Sequence, residues 1–111
     1  MKPRRKRVIS RTPKYTDFRP HGSYWNEPIS ITIDEFESMR LKHFEKLDQR
    51  EACKKMSISQ STFHRILSTA HSKITDALVS GRGIRIEGGK CREREYRKPQ
   101  ERISQRYFAT P

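Results

Sequence analysis

Apolar residues recur along the chain in two rhythms, and each predicts a different kind of element. Ile29, Ile31 and Ile33 alternate with Ser30 and Thr32, the period-two pattern of a half-buried strand over 29–33. Ile84 and Ile86 repeat the alternation against Arg85 and Glu87, and Gly88 and Gly89 close the run. Two strands this short are unstable alone. The pattern therefore predicts a two-stranded pairing packed on helices, either within one chain or exchanged between two chains of a dimer.

Between these strands the rhythm changes to 3.6, with three marked helix starts. Thr32 and Glu35 have the T-x-x-E spacing of a capping box, which predicts a helix to about Phe44. Phe36, Met39 and Phe44, with Leu41 alongside, fit its buried stripe, and Glu37, Arg40 and Lys42 lie elsewhere. Asp48 and Glu51 repeat the capping spacing and open a second helix of about two turns, with Ala52, Cys53 and Met56 inward. Ser59 caps the third helix. Its inward positions Phe63, Ile66, Leu67, Ala70, Ile74, Ala77 and Leu78 step by three, one, three, four, three and one residues. Gly81 stands where a left-handed cap would end a helix of about 20 residues. Its distal half is free to pack on the first helix or to dimerise through the stripe from Ala70 to Leu78.

Residues 1–27 hold Pro3, Pro13, Pro20, Gly22 and four aromatics, Tyr15, Phe18, Tyr24 and Trp25, without either rhythm. They read as an extended arm whose rings anchor it to the domain's apolar surface. The organisation predicted is a basic arm over 1–27, a domain over 28–89 and a basic disordered tail over 90–111. The fold class is mainly α, three helices with a short two-stranded β pairing and extended basic tails.

Charge locates the contact surfaces. The chain has 111 residues and a net charge of +12, so it suits one small domain with a positive field toward polyanions and no room for a large catalytic cleft. The segment 1–22 carries +7 and 82–111 carries +5, whereas 23–58 carries −1 and 59–81 carries +1. Two basic ends flank a nearly neutral core, which makes nucleic acid the leading partner class. No stretch approaches the roughly 18 apolar residues of a spanning helix, and the basic start lacks the apolar run of a secretory signal, so the expected setting is cytoplasmic, with no membrane partner. Two cysteines, Cys53 and Cys91, make no disulfide framework, and Cys53 fits a small buried thiol.

The segment "MSIS" separates the second and third helices by the three or four residues that a helix-turn-helix allows. Ala52 and Cys53 permit close approach, Met56 and Ile58 plug the turn, and Phe63 and Ile66 anchor the following helix. Ser59, Gln60, Ser61, Thr62, His64, Arg65 and Ser68 are left facing outward on a recognition helix over about 60–81. Glutamine suits adenine, arginine suits guanine, and hydroxyls serve either, so this set is the candidate base-reading surface of a sequence-specific transcriptional regulator acting on double-stranded DNA. Arg4, Arg5, Lys6, Arg7, Arg11 and Lys14 are the candidates for phosphates or the minor groove. The plainer reading of the same pattern is an αα-hairpin with a polar outer face.

The stretches "TPKYTDFRPHG", "TIDEFESMRL", "LDQREACKKMSISQSTFHRILSTAHSKITDALVSG" and "RIEGG", in that order, resemble the small bacterial and archaeal proteins grouped as domain of unknown function 134. The resemblance runs over about residues 4–89. It implies a trihelical DNA-binding domain like region 4 of sigma-70 factors. Family members look more like "EAAEKMGVSRQTFGRIL". Here Cys53 replaces a usual alanine, Ser57 a usual turn glycine, Gln60 a usual arginine and His64 a usual glycine. The turn glycine often holds a positive φ, which serine adopts only at some cost. Many members also carry a cysteine in the arm, which has no counterpart in "KPRRKRVIS".

Enzyme chemistry finds no foothold. The chain has no C-x-x-C, H-E-x-x-H, glycine-rich phosphate loop or nucleophile elbow, so neither catalysis nor a cofactor or metal is expected. His64 and His71, seven apart on one helix, read as solvent-facing polar residues, since no third ligand is placed by spacing. The alternatives are a protein-interaction module contacting RNA polymerase and an RNA-binding protein. A homodimer is expected, through exchanged strands or the stripe from Ala70 to Leu78.

Overall fold

Thr32 and Glu35 exchange the two hydrogen bonds of a capping box, Thr32 N–H to Glu35 Oε1 at 3.0 Å and Glu35 N–H to Thr32 Oγ1 at 3.3 Å, and so begin the first helix. The structure is a computed structural model that describes residues 7–22, 26–89 and the backbone of 91–93. Its elements, in chain order, are β1 (Arg7–Ile9), β2 (Asp17–Phe18), β3 (Ile29–Ile31), α1 (Ile33–Met39) with a π-helical continuation (Arg40–Phe44), α2 (Gln49–Lys55), α3 (Gln60–Ser80), β4 (Ile84–Ile86) and β5 (Cys91–Glu93). The fold is mainly α with a short β pairing.

The remaining helix ends lie where the sequence places them. Asp48 and Glu51 form the second capping box, and the Ser59 hydroxyl accepts the Thr62 N–H at 3.1 Å. Gly81 ends α3 in the left-handed region at φ 72°, with its N–H on the Ala77 carbonyl at 2.9 Å. β3 is shorter than its alternation suggests: Thr32 leaves the sheet to serve as a cap, which hands Ile33 to the helix.

α1 and α2 pack on α3 around a core of Leu41, Ala52, Cys53, Met56, Phe63 and Leu67. β3 and β4 pair in parallel within one chain, with Ile29 opposite Ile84 and Ile31 opposite Ile86. The expected two-stranded pairing gains a third strand, since β2 joins β4 antiparallel on its other edge. β1 pairs in parallel with β5 as a second, two-stranded unit. Among the described residues, both flanking segments thus carry order that periodicity misses: Val8 and Ile9 of the arm are buried, and Cys91–Glu93, in the segment expected to be a disordered tail, form a strand. β1 (RVI), β2 (DF) and β5 (CRE) lack the apolar–polar–apolar alternation that ISI and IRI show, so the period-two pattern does not register them.

The buried face of α1 differs from the expected stripe. Asp34, Glu35, Glu37 and Ser38 face inward with Leu41, whereas Phe44 is 79% exposed and Phe36 and Met39 are half-buried. Positions 34, 37, 38 and 41 keep the helical period, but Asp34 meets the Arg7 guanidinium and Glu37 the Ser10 N–H of the arm, while Ser38 donates to the Glu35 carbonyl and only Leu41 joins the apolar core. The π turn, closed by Glu45 N–H on the Arg40 carbonyl at 2.8 Å, then turns Phe44 outward. On α3, Phe63, Ile66, Leu67, Ala70 and Ala77 are buried as expected, Ile74 is half-buried and Leu78 is 75% exposed. A helix turns about 100° per residue, so burying Ala70 and Ala77 leaves Leu78 on the flank.

Candidate nucleic-acid interface

The turn between α2 and α3 is built from four residues with separate tasks. Met56 closes α2 and is fully buried. Ser57 takes the left-handed conformation at φ 58°, the strained geometry that glycine accepts at no steric cost. The N–H groups of Ser57 and Ile58 bind the Lys54 and Cys53 carbonyls at 3.0 and 3.1 Å, and Ser59 then caps α3. Ala52, Met56 and Phe63, each 0% exposed, set the spacing of the two helices, and Ile58 packs partly buried against them. The Gln49 side-chain amide donates to the Gln60 carbonyl at 3.2 Å, tying the starts of both helices together. Val8 N–H donates to the Met56 carbonyl at 3.0 Å, so the arm is fastened to the same turn.

This frame places Ser59, Gln60, Ser61, His64, Arg65 and Ser68 on the exposed side of α3, with Thr62 half-buried. Ser59 and Thr62 are occupied by the cap, the Ser59 hydroxyl donating to Thr62 Oγ1 at 3.0 Å and lying 3.2 Å from Ser61 Oγ. Gln60, His64, Arg65 and Ser68 are left as an outward polar face. Arg65 has no ion-pair partner among the described residues.

The arm residues divide. Arg11 and Lys14 are exposed. Arg4, Arg5 and Lys6 lie outside the described residues. Arg7 departs from the solvent-facing role expected of it: its guanidinium meets Asp34 Oδ2 at 3.3 Å, with the two side chains 11% and 8% exposed. A second tie follows at once, from Ser10 N–H to Glu37 Oε2 at 2.7 Å. Glu37 also receives the Arg40 guanidinium through Nε at 2.9 Å and Nη2 at 3.1 Å, and Arg40 reaches Glu45 at 2.7 Å. The hydrogen bonds that Arg40 donates to Glu37 outweigh partial burial and hold its pKa above the ordinary value, so it is charged throughout. Glu35 binds Lys73 of α3 at 2.9 Å. The acidic face of α1 is thus the clamp that positions both the arm and the long helix. Sequence reasoning missed it because the periodicity admits either face, and only the distant cations decide between them.

Where the arm and α3 meet, Arg7, Thr32, Asp34, Glu35, Arg65 and Thr69 line a notch of about 340 Å³. Gly89 of the "RIEGG" segment closes over it with φ 96°, and a Cβ there would lie 2.6 Å from Asp34 Oδ1. The neighbouring Gly88 carbonyl accepts the Ile33 N–H at 3.0 Å. That segment therefore locks the start of α1.

The family model for a protein of unknown function, DUF134, matches residues 1–95. The chain belongs to the DUF134 family. It is 48% identical over 101 residues to a UPF0251 protein of Methanosarcina mazei, covering 89% of this chain and 58% of that relative. A UPF0251 protein of Desulforudis audaxviator is 43% identical over 90 residues, covering 79% of this chain and 59% of its own length. One from Thermoanaerobacter pseudethanolicus is 39% identical over 93 residues, covering 82% of this chain and 79% of its own length. The chain thus spans less than two thirds of the first of these relatives. No solved structure matches. In this DUF134 chain the turn, the outward face of α3, the clamp and Gly89 all fall inside the matched region.

Among the described residues of this DUF134 protein, no three histidine, cysteine or acidic side chains gather as a metal site, and no helix is long and apolar enough to cross a membrane. His64 and His71 are exposed, as their spacing predicts, and His71 also lies against His43 of the π turn, with the two Nε2 atoms 2.8 Å apart.

Proposed function

We propose that this protein binds double-stranded DNA sequence-specifically through a helix-turn-helix formed by α2, the Met56–Ser59 turn and α3, in the manner of region 4 of sigma-70 factors, and that it acts in transcriptional regulation. The observation that carries the reading is the unobstructed polar face of α3, Gln60, His64, Arg65 and Ser68, held on a helix whose opposite side is the core. A helix of this diameter enters the major groove, where glutamine and arginine read adenine and guanine edges. Exposed Arg11 and Lys14 stand on the arm that is fastened to the turn, and with Arg4, Arg5 and Lys6 they supply phosphate contacts. The net charge of +12 supports an anionic partner.

A second copy is the proposed protein partner. Leu78 and Val79, 75% and 82% exposed, lie at the far end of the helix that carries the reading face, and Leu78 lines one groove with half-exposed Phe18. Pairing there would present two reading helices to two half-sites.

Selection of bound duplexes from a random pool tests affinity, sequence preference and half-site symmetry together. The expected result is one enriched, two-fold symmetric motif. Arg65→Ala should then weaken binding to it by about 1–3 kcal/mol and relax the preference at one base pair. Equal losses on the selected and random duplexes would refute base reading. Salt-insensitive binding, or none, would refute the DNA assignment itself.

A further inference from the structure

We propose that His43 and His71 form a two-imidazole chelate for a late first-row divalent transition ion of the Ni²⁺, Cu²⁺ or Zn²⁺ class. The two residues come from different elements, the π turn and α3, and stand 28 positions apart in sequence. Yet their Nε2 atoms face one another at 2.8 Å, with ring centroids 5.0 Å apart and planes inclined by 38°. Imidazole nitrogen suits these ions, with a metal–nitrogen distance of about 2.0–2.1 Å, so two nitrogens sharing one ion stand roughly 3.0–3.4 Å apart. Opening the pair by a few tenths of an ångström, a small side-chain rotation for two exposed residues, admits the ion. A neutral pair otherwise shares a single N–H···N bond and uses one of its two lone pairs. The ion uses both.

The backbone supplies an independent argument. The π turn inserts one residue into the helix at Arg40–Phe44, a feature found often at functional sites, and His43 lies within it. Around the site, Leu41 is fixed in the core and Arg40 is held by Glu37 and Glu45, so His43 stands on a braced turn. No third histidine, cysteine or acid joins the pair among the described residues, which leaves the other coordination positions to water or a small ligand. An occupied site would bridge the end of the first helix to the middle of α3.

The test titrates the untagged full chain with NiCl2 at neutral pH, using MgCl2 as the control. Both the thermal midpoint and isothermal titration calorimetry are followed. The expected result is one Ni²⁺ per chain and a midpoint that rises with Ni²⁺ but not with Mg²⁺. His43→Ala and His71→Ala should each weaken Ni²⁺ binding by about tenfold or more, whereas His21→Ala and His64→Ala leave it unchanged. His43→Gln and His71→Gln keep a polar side chain at each position, and calorimetry on them separates lost ligation from lost folding. No Ni²⁺ response in the parent chain, or a full response in the His43 and His71 variants, overturns the proposal. The experiment uses no duplex, so its result is independent of the DNA reading.

Discussion

The carboxylate of Glu37, fully buried on the first helix, accepts the backbone N–H of Ser10 at 2.7 Å and joins the arm to the helical core. The same group neutralises Arg40 through two hydrogen bonds of 2.9 and 3.1 Å. Removing it leaves the Arg40 guanidinium with Glu45 alone and the Ser10 N–H without its acceptor. Glu37→Ala should therefore destabilise the fold by about 3 kcal/mol, the low end for a broken buried pair, since one carboxylate partner remains. Glu37→Gln keeps an acceptor for Ser10 and should cost less. Urea unfolding of the two variants measures the difference, and equal costs would show that the charge, not the size or the acceptor for Ser10, is what Glu37 supplies.

Ser57 marks the place where the turn carries strain. A non-glycine residue in the left-handed region costs on the order of 1–2 kcal/mol, and glycine gives back part of that through its larger unfolded-state entropy. With φ at 58° and an exposed side chain, Ser57→Gly should raise stability by about 0.5–1 kcal/mol without changing the turn. Lys46, at φ 62°, offers the same comparison at a site remote from the turn. A fall in the unfolding midpoint of Ser57→Gly would mean that the serine side chain makes a contribution larger than the strain.

These features differ in how far they can be read from the chain, and the reason is locality. Thr32 with Glu35, Asp48 with Glu51, Ser59 and Gly81 act on backbone groups within four residues, so their spacing alone specifies them. The stripe from Phe63 to Ala77 repeats often enough to define one face of α3. The outward positions Gln60, His64, Arg65 and Ser68 follow from that stripe by exclusion. The clamp does not follow, because Asp34, Glu35 and Glu37 are buried by Arg7, Ser10 and Lys73, partners 27 or more positions away. Arg7 illustrates the cost of that blindness: one of a run of identical charges in sequence, it is set apart only by Asp34. The β1–β5 pairing and the His43–His71 contact depend likewise on long-range closure and on an inserted residue in the helix.

Gly89 should be intolerant of any side chain. At φ 96°, and with Asp34 Oδ1 2.6 Å and Thr32 Cβ 3.0 Å from the position of a Cβ, Gly89→Ala meets both strain and collision at the start of α1. Gly88, at φ 79°, has open space around its Cβ position and meets strain alone. The expected outcome is a loss of about 1–2 kcal/mol for Gly88→Ala and a clearly larger loss for Gly89→Ala, read from thermal or urea unfolding. Equal losses would remove the contact with Asp34 as the reason for the second glycine.

The division among the arm's cations gives a prediction about salt. Each phosphate neutralised on duplex DNA contributes about −0.9 to the slope of log affinity against log salt, whichever residue supplies the charge. Under the proposed DNA reading, deleting residues 1–6 removes Lys2, Arg4, Arg5 and Lys6, and the slope should become shallower by between about 1 and 4. Arg7 behaves differently, because its charge is already matched by Asp34 at 3.3 Å in a pair almost wholly out of solvent. Arg7→Gln should lower stability, since Asp34 then loses its cation, while the salt slope per bound chain stays within experimental error of the parent. Fluorescence anisotropy on one duplex between about 50 and 200 mM salt, with folding checked by circular dichroism, measures both quantities. A slope reduced by a full phosphate in Arg7→Gln would place that guanidinium on the duplex and Asp34 in a merely orienting role. An unchanged slope after the deletion would remove the first six residues from the interface and leave Arg11, Lys14 and Arg65 as its cations.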